Sequence, residues 1–144
     1  MMAKVNEEEL RKLLMEHRLL ETSVAAIQSR LNIIEASLTE ILMANSTLEG
    51  IKGKPKGSKI LVPIGAGSFI RTELADPEKI IMGIGAGVSI ERSLEDSIYE
   101  LKARQAELEQ LKASLEQQLA QAASRLEEKR RTISTLLKER GGAR

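Results

Sequence analysis

Cysteine and tryptophan are absent, and a single histidine, His17, stands among 144 residues. Without cysteine there is no disulfide, no thiolate nucleophile and no cysteine-based zinc site, and one imidazole cannot build a histidine zinc site. Aromatics are nearly missing too, with Phe69 and Tyr99 the only two. A core in a chain long enough for one domain ordinarily draws much of its buried area from Phe, Tyr and Trp. The 42% hydrophobic content must therefore work as Leu and Ile in a more regular arrangement. An excess of one charge is also lacking. Lys and Arg number 22 against 21 Asp and Glu, so no whole-chain field favours nucleic acid or an anionic membrane. No run of about 18 uncharged apolar residues exists, and the opening MMAKVNEEEL has no apolar stretch of signal-peptide length. The expectation is a soluble cytoplasmic protein with no membrane segment, no metal and no cofactor.

Glycine and proline are scarce except in the middle. Residues 1–50 hold one Gly and no Pro, residues 51–91 hold seven Gly and all three Pro, and residues 92–144 hold only Gly141 and Gly142. Helix breakers are thus confined to the centre and the far end, which divides a single domain over 1–144 into a helix at 6–50, a middle at 51–91 and a helix at 92–140. On the first flank, steps of three and four connect Leu10, Leu13, His17, Leu20, Val24, Ile27, Leu31, Ile34, Leu38, Ile41, Asn45 and Leu48. That period near 3.5 residues marks a left-handed coiled coil. Asn6 as cap, Glu9 as its capping-box partner and the Val5 and Leu10 staple predict the start, and Gly50 the end. The second flank opens at Ser93, with Glu95 and Asp96 in its first turn. Its stripe reads Leu94, Ile98, Leu101, Gln105, Leu108, Leu111, Leu115, Leu119, Ala122, Leu126, Lys129, Ile133 and Leu136. The alternation slips between Leu108 and Leu119, predicting a local change of winding. Matched lengths favour an antiparallel hairpin within one chain over parallel pairing between chains.

The middle contains an internal repeat. Ile60-Leu61-Val62-Pro63-Ile64-Gly65-Ala66-Gly67 returns twenty residues later as Ile80-Ile81-Met82-Gly83-Ile84-Gly85-Ala86-Gly87. Each copy reads as strand, tight glycine turn and strand, with Asp76-Pro77 turning between copies. Apolar residues occupy even positions while Arg71, Glu73, Lys79, Ser89 and Glu91 occupy odd ones, the period-two pattern of strands with one buried face. Two short hairpins cannot close a barrel or cover that face alone, so the middle predicts an obligate oligomer. The Lys52–Lys59 stretch is a solvated connection into the first strand.

A helix, two hairpins carrying VPIGAG and IGAGVSIE, and a returning helix resemble the α-class subunit of prefoldin, in its short archaeal form. The resemblance covers nearly the whole chain, and two hairpins rather than one place it in the α class. It implies a mainly α fold, a long antiparallel two-helix coiled coil whose hairpins join an intersubunit β-barrel. It also implies a hetero-hexamer of two α and four β subunits that captures non-native polypeptide at the coiled-coil tips, without ATP, and hands it to a group II chaperonin. Carried onto this sequence, Ile60, Val62, Ile64, Ile70, Ile80, Met82, Ile84, Val88 and Ile90 form the assembly surface. Both termini then lie at the tip. There Leu14, Met15 and Leu19 exceed what a seam through Leu10, Leu13 and His17 needs, and Leu137 does so beside Ile133 and Leu136. With Val5 these residues form the expected client-binding set.

Other readings of the same residues are weaker. The two Gly-Ala-Gly turns lack the following helix and Lys-Ser/Thr of a phosphate loop. His17 has no second histidine and no evident acid partner, and reads as a seam residue. Asn45 reads as a register device. Glu127-Glu128-Lys129-Arg130-Arg131 mixes signs as a solvated helix face does, so no nucleic-acid contact is expected. No residue is assigned a catalytic role. The alternative to a chaperone subunit is an adaptor coiled coil that assembles through its hairpins.

Overall fold

The computed structural model describes the backbone from Met2 to Gly142 and side chains from Glu7 to Gly141. Helix α1 spans Met2–Ile51, strands β1 Lys59–Gly65 and β2 Ser68–Glu73 form one hairpin, β3 Lys79–Gly85 and β4 Val88–Ser93 form a second, and helix α2 spans Leu94–Gly142. Each hairpin is its own antiparallel two-stranded sheet. By packing, the chain divides into two compact units. One joins the chain up to Ala36 with the chain from Glu109 onward, and the other is Ser37–Leu108.

In the first unit α1 and α2 run antiparallel. Arg140 bonds Glu7 at 2.6 Å, Lys129 bonds Glu16, and Lys112 lies 3.9 Å from Glu35. The residue numbers of these pairs sum to 147, 145 and 147, so the register holds without a slipped turn. All twelve seam positions expected on α1 are buried or half-buried, from Leu10 to Leu48. The stripe on α2 differs from the expected one at a single place. It passes through Lys112, which is half-buried, while Leu111 is 49% exposed and Leu115 only 5%. With Lys112 in line, the alternation of four and three runs unbroken from Leu94 to Leu136, and the expected change of winding has no cause. The seam follows helical geometry, and the lysine stem lies along it with its ammonium near Glu35 and Glu116.

Both helix ends depart from the sequence reading on α1, and on α2 the start follows it while the helix runs on past 140 through Gly141 to Gly142. Helix α1 already starts at Met2, which puts Asn6 inside it and not at its cap. It continues through Gly50 to Ile51, and Gly53 (φ +79°), not Gly50, takes the left-handed conformation after the end. Lys52 N donates to Leu48 O and Lys54 N to Ile51 O, each at 3.1 Å. At α2, Ser93 Oγ accepts from Asp96 N at 3.1 Å, as an N-cap does. Ser97, fully buried, donates its hydroxyl to Ser93 O at 2.8 Å.

In the second unit the core gathers Leu48, Leu94, Ile98 and Leu101 with Met82 of β3, and Ile41, Ala44, Ile51 and Ile80 pack against it. Hairpin β3–β4 therefore lies against helix residues. A carboxylate reinforces this. Glu100 takes Arg92 at 2.6 Å with one oxygen and Arg104 at 3.0 Å with the other, and Arg104 also donates to Gly83 O at 3.1 Å. Hairpin β1–β2 is tied at its base, where Gly57 N donates to Leu74 O (2.7 Å) and Leu74 N to Ser58 O (2.8 Å). Between the hairpins Asp76 Oδ1 accepts from Glu78 N at 3.0 Å, the side-chain turn expected of Asp76-Pro77.

Candidate functional site

Two exposed apolar surfaces stand out, one in each unit. On the first unit Leu14 is 50% exposed, Met15 64%, Leu19 64% and Leu137 51%. Their neighbours Leu10 and Ile133 are buried, and Leu13 and Leu136 half-buried, in the seam. Of the nine residues expected to hold a client, four are thus presented to solvent and four are spent on pairing the helices. Val5 lies outside the residues whose side chains are described. Met15 and Leu19, four apart, share one helix face. Sequence reasoning could find them because a two-helix seam needs only a narrow stripe, and whatever exceeds it stays wet.

Charges frame this surface. The Lys129 ammonium hydrogen-bonded to Glu16 holds that carboxyl below its ordinary 4.5, and Arg130 does the same for Glu127. His17 does have an acid partner, contrary to expectation. Its Nδ1 lies 2.8 Å from Glu21 Oε1, one turn along the same helix. The imidazole remains half-buried in the seam, and among the described residues no three His, Asp or Glu side chains gather as metal ligands do.

The hairpins carry the second surface. The register pairs Ile60 with Thr72, Val62 with Ile70, Ile80 with Arg92 and Met82 with Ile90, so even positions do share a face. That face divides unevenly. Met82 is 6% exposed and Ile80 and Ile90 half-buried, with Met82 and Ile80 packed within the chain's own core. Val62, Ile64, Ile70, Ile84 and Val88 remain exposed. Of the expected assembly residues, Met82 thus has almost no surface left to offer. The alternation also ends early. A register shift between Pro63 and Gly65, repeated between Gly83 and Gly85, leaves Ile64 and Ile84 without a cross-strand partner.

The other face is less polar than its sequence pattern implies. Leu61, Phe69 and Ile81 lie on it, all largely exposed, and both strands of each hairpin keep one open edge. The turns themselves are two-residue loops with Ala66 at φ +50° and Gly67 at +72°, and Ala86 at +51° and Gly87 at +74°. Both central residues are left-handed, as a type I′ turn requires. Strands follow both turns, so the Gly-Ala-Gly segments are hairpin tips and open no helix toward a phosphate.

The prefoldin subunit family model matches residues 20–139. Among curated relatives, the prefoldin subunit alpha of Methanopyrus kandleri is 35% identical over 113 residues, 78% of this chain and 72% of that one. That of Methanococcoides burtonii is 30% identical over 125 residues, 87% and 91% of the two chains. That of Pyrococcus horikoshii is 31% identical over 124, or 85% and 84%. Among solved structures, a filamentous PFD from Methanocaldococcus jannaschii, determined by cryo-EM, superposes with a TM-score of 0.64 at 19% identity, covering 78% of this chain and 93% of the other. The fold is the same.

Proposed function

Because this chain belongs to the prefoldin family, we propose that it works as an α-class subunit in a hetero-hexamer of two α and four β subunits. The complex binds non-native polypeptide without ATP and passes it to a group II chaperonin. A prefoldin chaperone role, non-enzymatic, comes with the family. No helix among the described residues is long and apolar enough to cross a membrane, in keeping with work on cytoplasmic clients.

The observation that carries client binding is the exposure of Leu14, Met15, Leu19 and Leu137 beside a seam that is already filled. Full burial of one such side chain is worth about 1.5–3 kcal/mol. Several weak contacts on several subunits add by multivalency, so no single deep pocket is needed. Leucine and methionine repack against varied surfaces, which suits clients of no fixed sequence. Assembly through the hairpins is supported by Val62, Ile64, Ile70, Ile84 and Val88, which nothing in the chain covers.

The test is an aggregation assay. The chain, reconstituted with a β-class partner and without nucleotide, is expected to suppress aggregation of a chemically unfolded client. Unchanged aggregation of several clients overturns the chaperone reading and leaves an adaptor that assembles through its hairpins.

A further inference from the structure

Helix α1 carries a second periodic stripe on the side away from its seam. Steps of four and three lead from Met15 to Leu19, Thr22, Ala26, Ser29, Ile33 and Ala36, all exposed and all uncharged. The period is that of the seam itself, so these positions keep to one face of the helix. Ile33 is 65% exposed and belongs neither to the seam nor to the expected client-binding set. Helix α2 has no counterpart among the described residues. Its outward positions read Gln110, Ser114, Gln117, Gln121, Ser124 and Glu128, an ordinary solvated face. Pairing the two helices needs only the one seam on each, so a second uncharged stripe anchored by Met15, Leu19 and Ile33 marks a further contact.

Charge decides what fits this stripe. Lys12, Leu19, Ala26, Ile33 and Glu40 follow one another along α1 in steps of seven, so a cation closes one end and an anion the other, both exposed. About Ala26 the stripe is nearly symmetric in size and inverted in charge. Laid antiparallel on a second α1 and centred on Ala26, Leu19 meets Ile33 of the other copy, Met15 meets Ala36, and Thr22 meets Ser29. Lys12 then meets Glu40, and a two-fold axis makes each of these pairs twice. On the flanks Arg18 falls opposite Asn32 and Arg30 opposite Ser23, so no like charges are brought together. Laid parallel, Lys12, Arg18, Arg30 and Glu40 would each meet their own kind, which is costly. The small side chains at Thr22, Ala26 and Ser29 let the two helix backbones approach at the centre. We infer that a second copy of this chain covers the stripe, the two α1 helices packing antiparallel across Ala26. The contact lies on α1 alone and is independent of assembly through the hairpins. It takes in Met15 and Leu19 of the proposed client surface, which makes an unfolded client the rival occupant.

The test exploits the absence of cysteine. Ala26→Cys in the full chain places one thiol from each copy at the two-fold axis, and oxidised glutathione is expected to drive a disulfide-linked dimer, read on a non-reducing gel. Leu19→Cys alone leaves its two thiols about 20 Å apart at ~1.5 Å per residue, beyond disulfide reach, and is expected not to link. An equimolar mixture of L19C and I33C is expected to link one variant to the other. In the A26C chain, Lys12→Glu or Glu40→Lys sets like charges together at both ends and is expected to slow cross-linking about fivefold or more. The two changes combined restore opposite charges and are expected to return the rate to that of A26C. Every substituted position is exposed, so far-UV circular dichroism should not change. An A26C chain that forms no linked dimer overturns the inference and leaves the stripe to clients. Self-linking of L19C overturns the antiparallel contact, as do charge variants that link at the A26C rate. Loss of client protection by the α–β complex with these cross-links intact removes the chaperone reading instead.

Discussion

Ala66 and Ala86 hold backbone conformations that a Cβ disfavours, at φ +50° and +51°. Both turns keep glycine only at the second central position. Asparagine tolerates the left-handed region better and is the preferred partner of glycine in type I′ turns. Ala66→Asn is therefore expected to raise stability by about 0.5–1 kcal/mol in thermal or urea unfolding, and a destabilised variant would mean that the turn is not of this type. Exposed apolar residues of the first unit make the opposite kind of prediction. Met15→Ser with Leu19→Ser removes no seam contact and should shift stability by less than about 0.5 kcal/mol per site, while weakening protection of an unfolded client by the assembled complex. Equal protection by the variant would relocate client binding away from this surface.

Along the helices, position on the seam outweighs residue type. Leu111 and Leu115 are the same amino acid one turn apart, yet one is half exposed and the other buried. Leu115→Ala should cost about 2–3 kcal/mol and Leu111→Ala less than about 0.5; comparable costs in urea denaturation would restore the slipped stripe. Ion pairs, one between the helices and one along α2, add a pH dependence. Glu16 and Glu127 are more acidic in the folded chain than their ordinary value of 4.5 because Lys129 and Arg130 bond them. Their contribution is therefore complete above that value and is lost as pH falls through the lowered folded values. The thermal midpoint should be level from neutrality to about pH 5.5 and decline below about 4.5, and Glu16→Gln should flatten part of that decline. A midpoint that climbs on acidification would contradict the pairing.

For the molecule as a whole, the hairpins are where one chain is incomplete. Val62 and Ile84 are exposed within the chain, so Val62→Asp or Ile84→Asp leaves the single chain folded. In an assembly that buries those positions, either substitution buries an unpaired charge. Native mass spectrometry with a β-class partner should then find free subunits in place of the hexamer, and an intact hexamer from both variants would exclude this face. Met82→Asp is expected to behave differently. Met82 belongs to the chain's own core, and its replacement should unfold the second unit before assembly is at issue.

Residue order alone determined the twelve-position seam of α1, the Ser93 cap, the two turns and the alternation through the strands. Each of these depends on a period or on neighbours a few residues away, and such short-range rules act wherever the chain goes. Only the tertiary structure decided that Lys112 completes the seam, that Glu100 bridges Arg92 and Arg104, and that Met82 turns inward while Val62 stays uncovered. The even positions of both hairpins read alike in sequence. What separates them is which hairpin packs against Leu48, Leu94, Ile98 and Leu101, a matter of residues brought together from distant parts of the chain. The near absence of aromatics follows the same division. A seam of Leu, Ile and Val needs no large rings, and the apolar hairpin residues Val62, Ile64, Ile70, Ile84 and Val88 stay exposed within the chain.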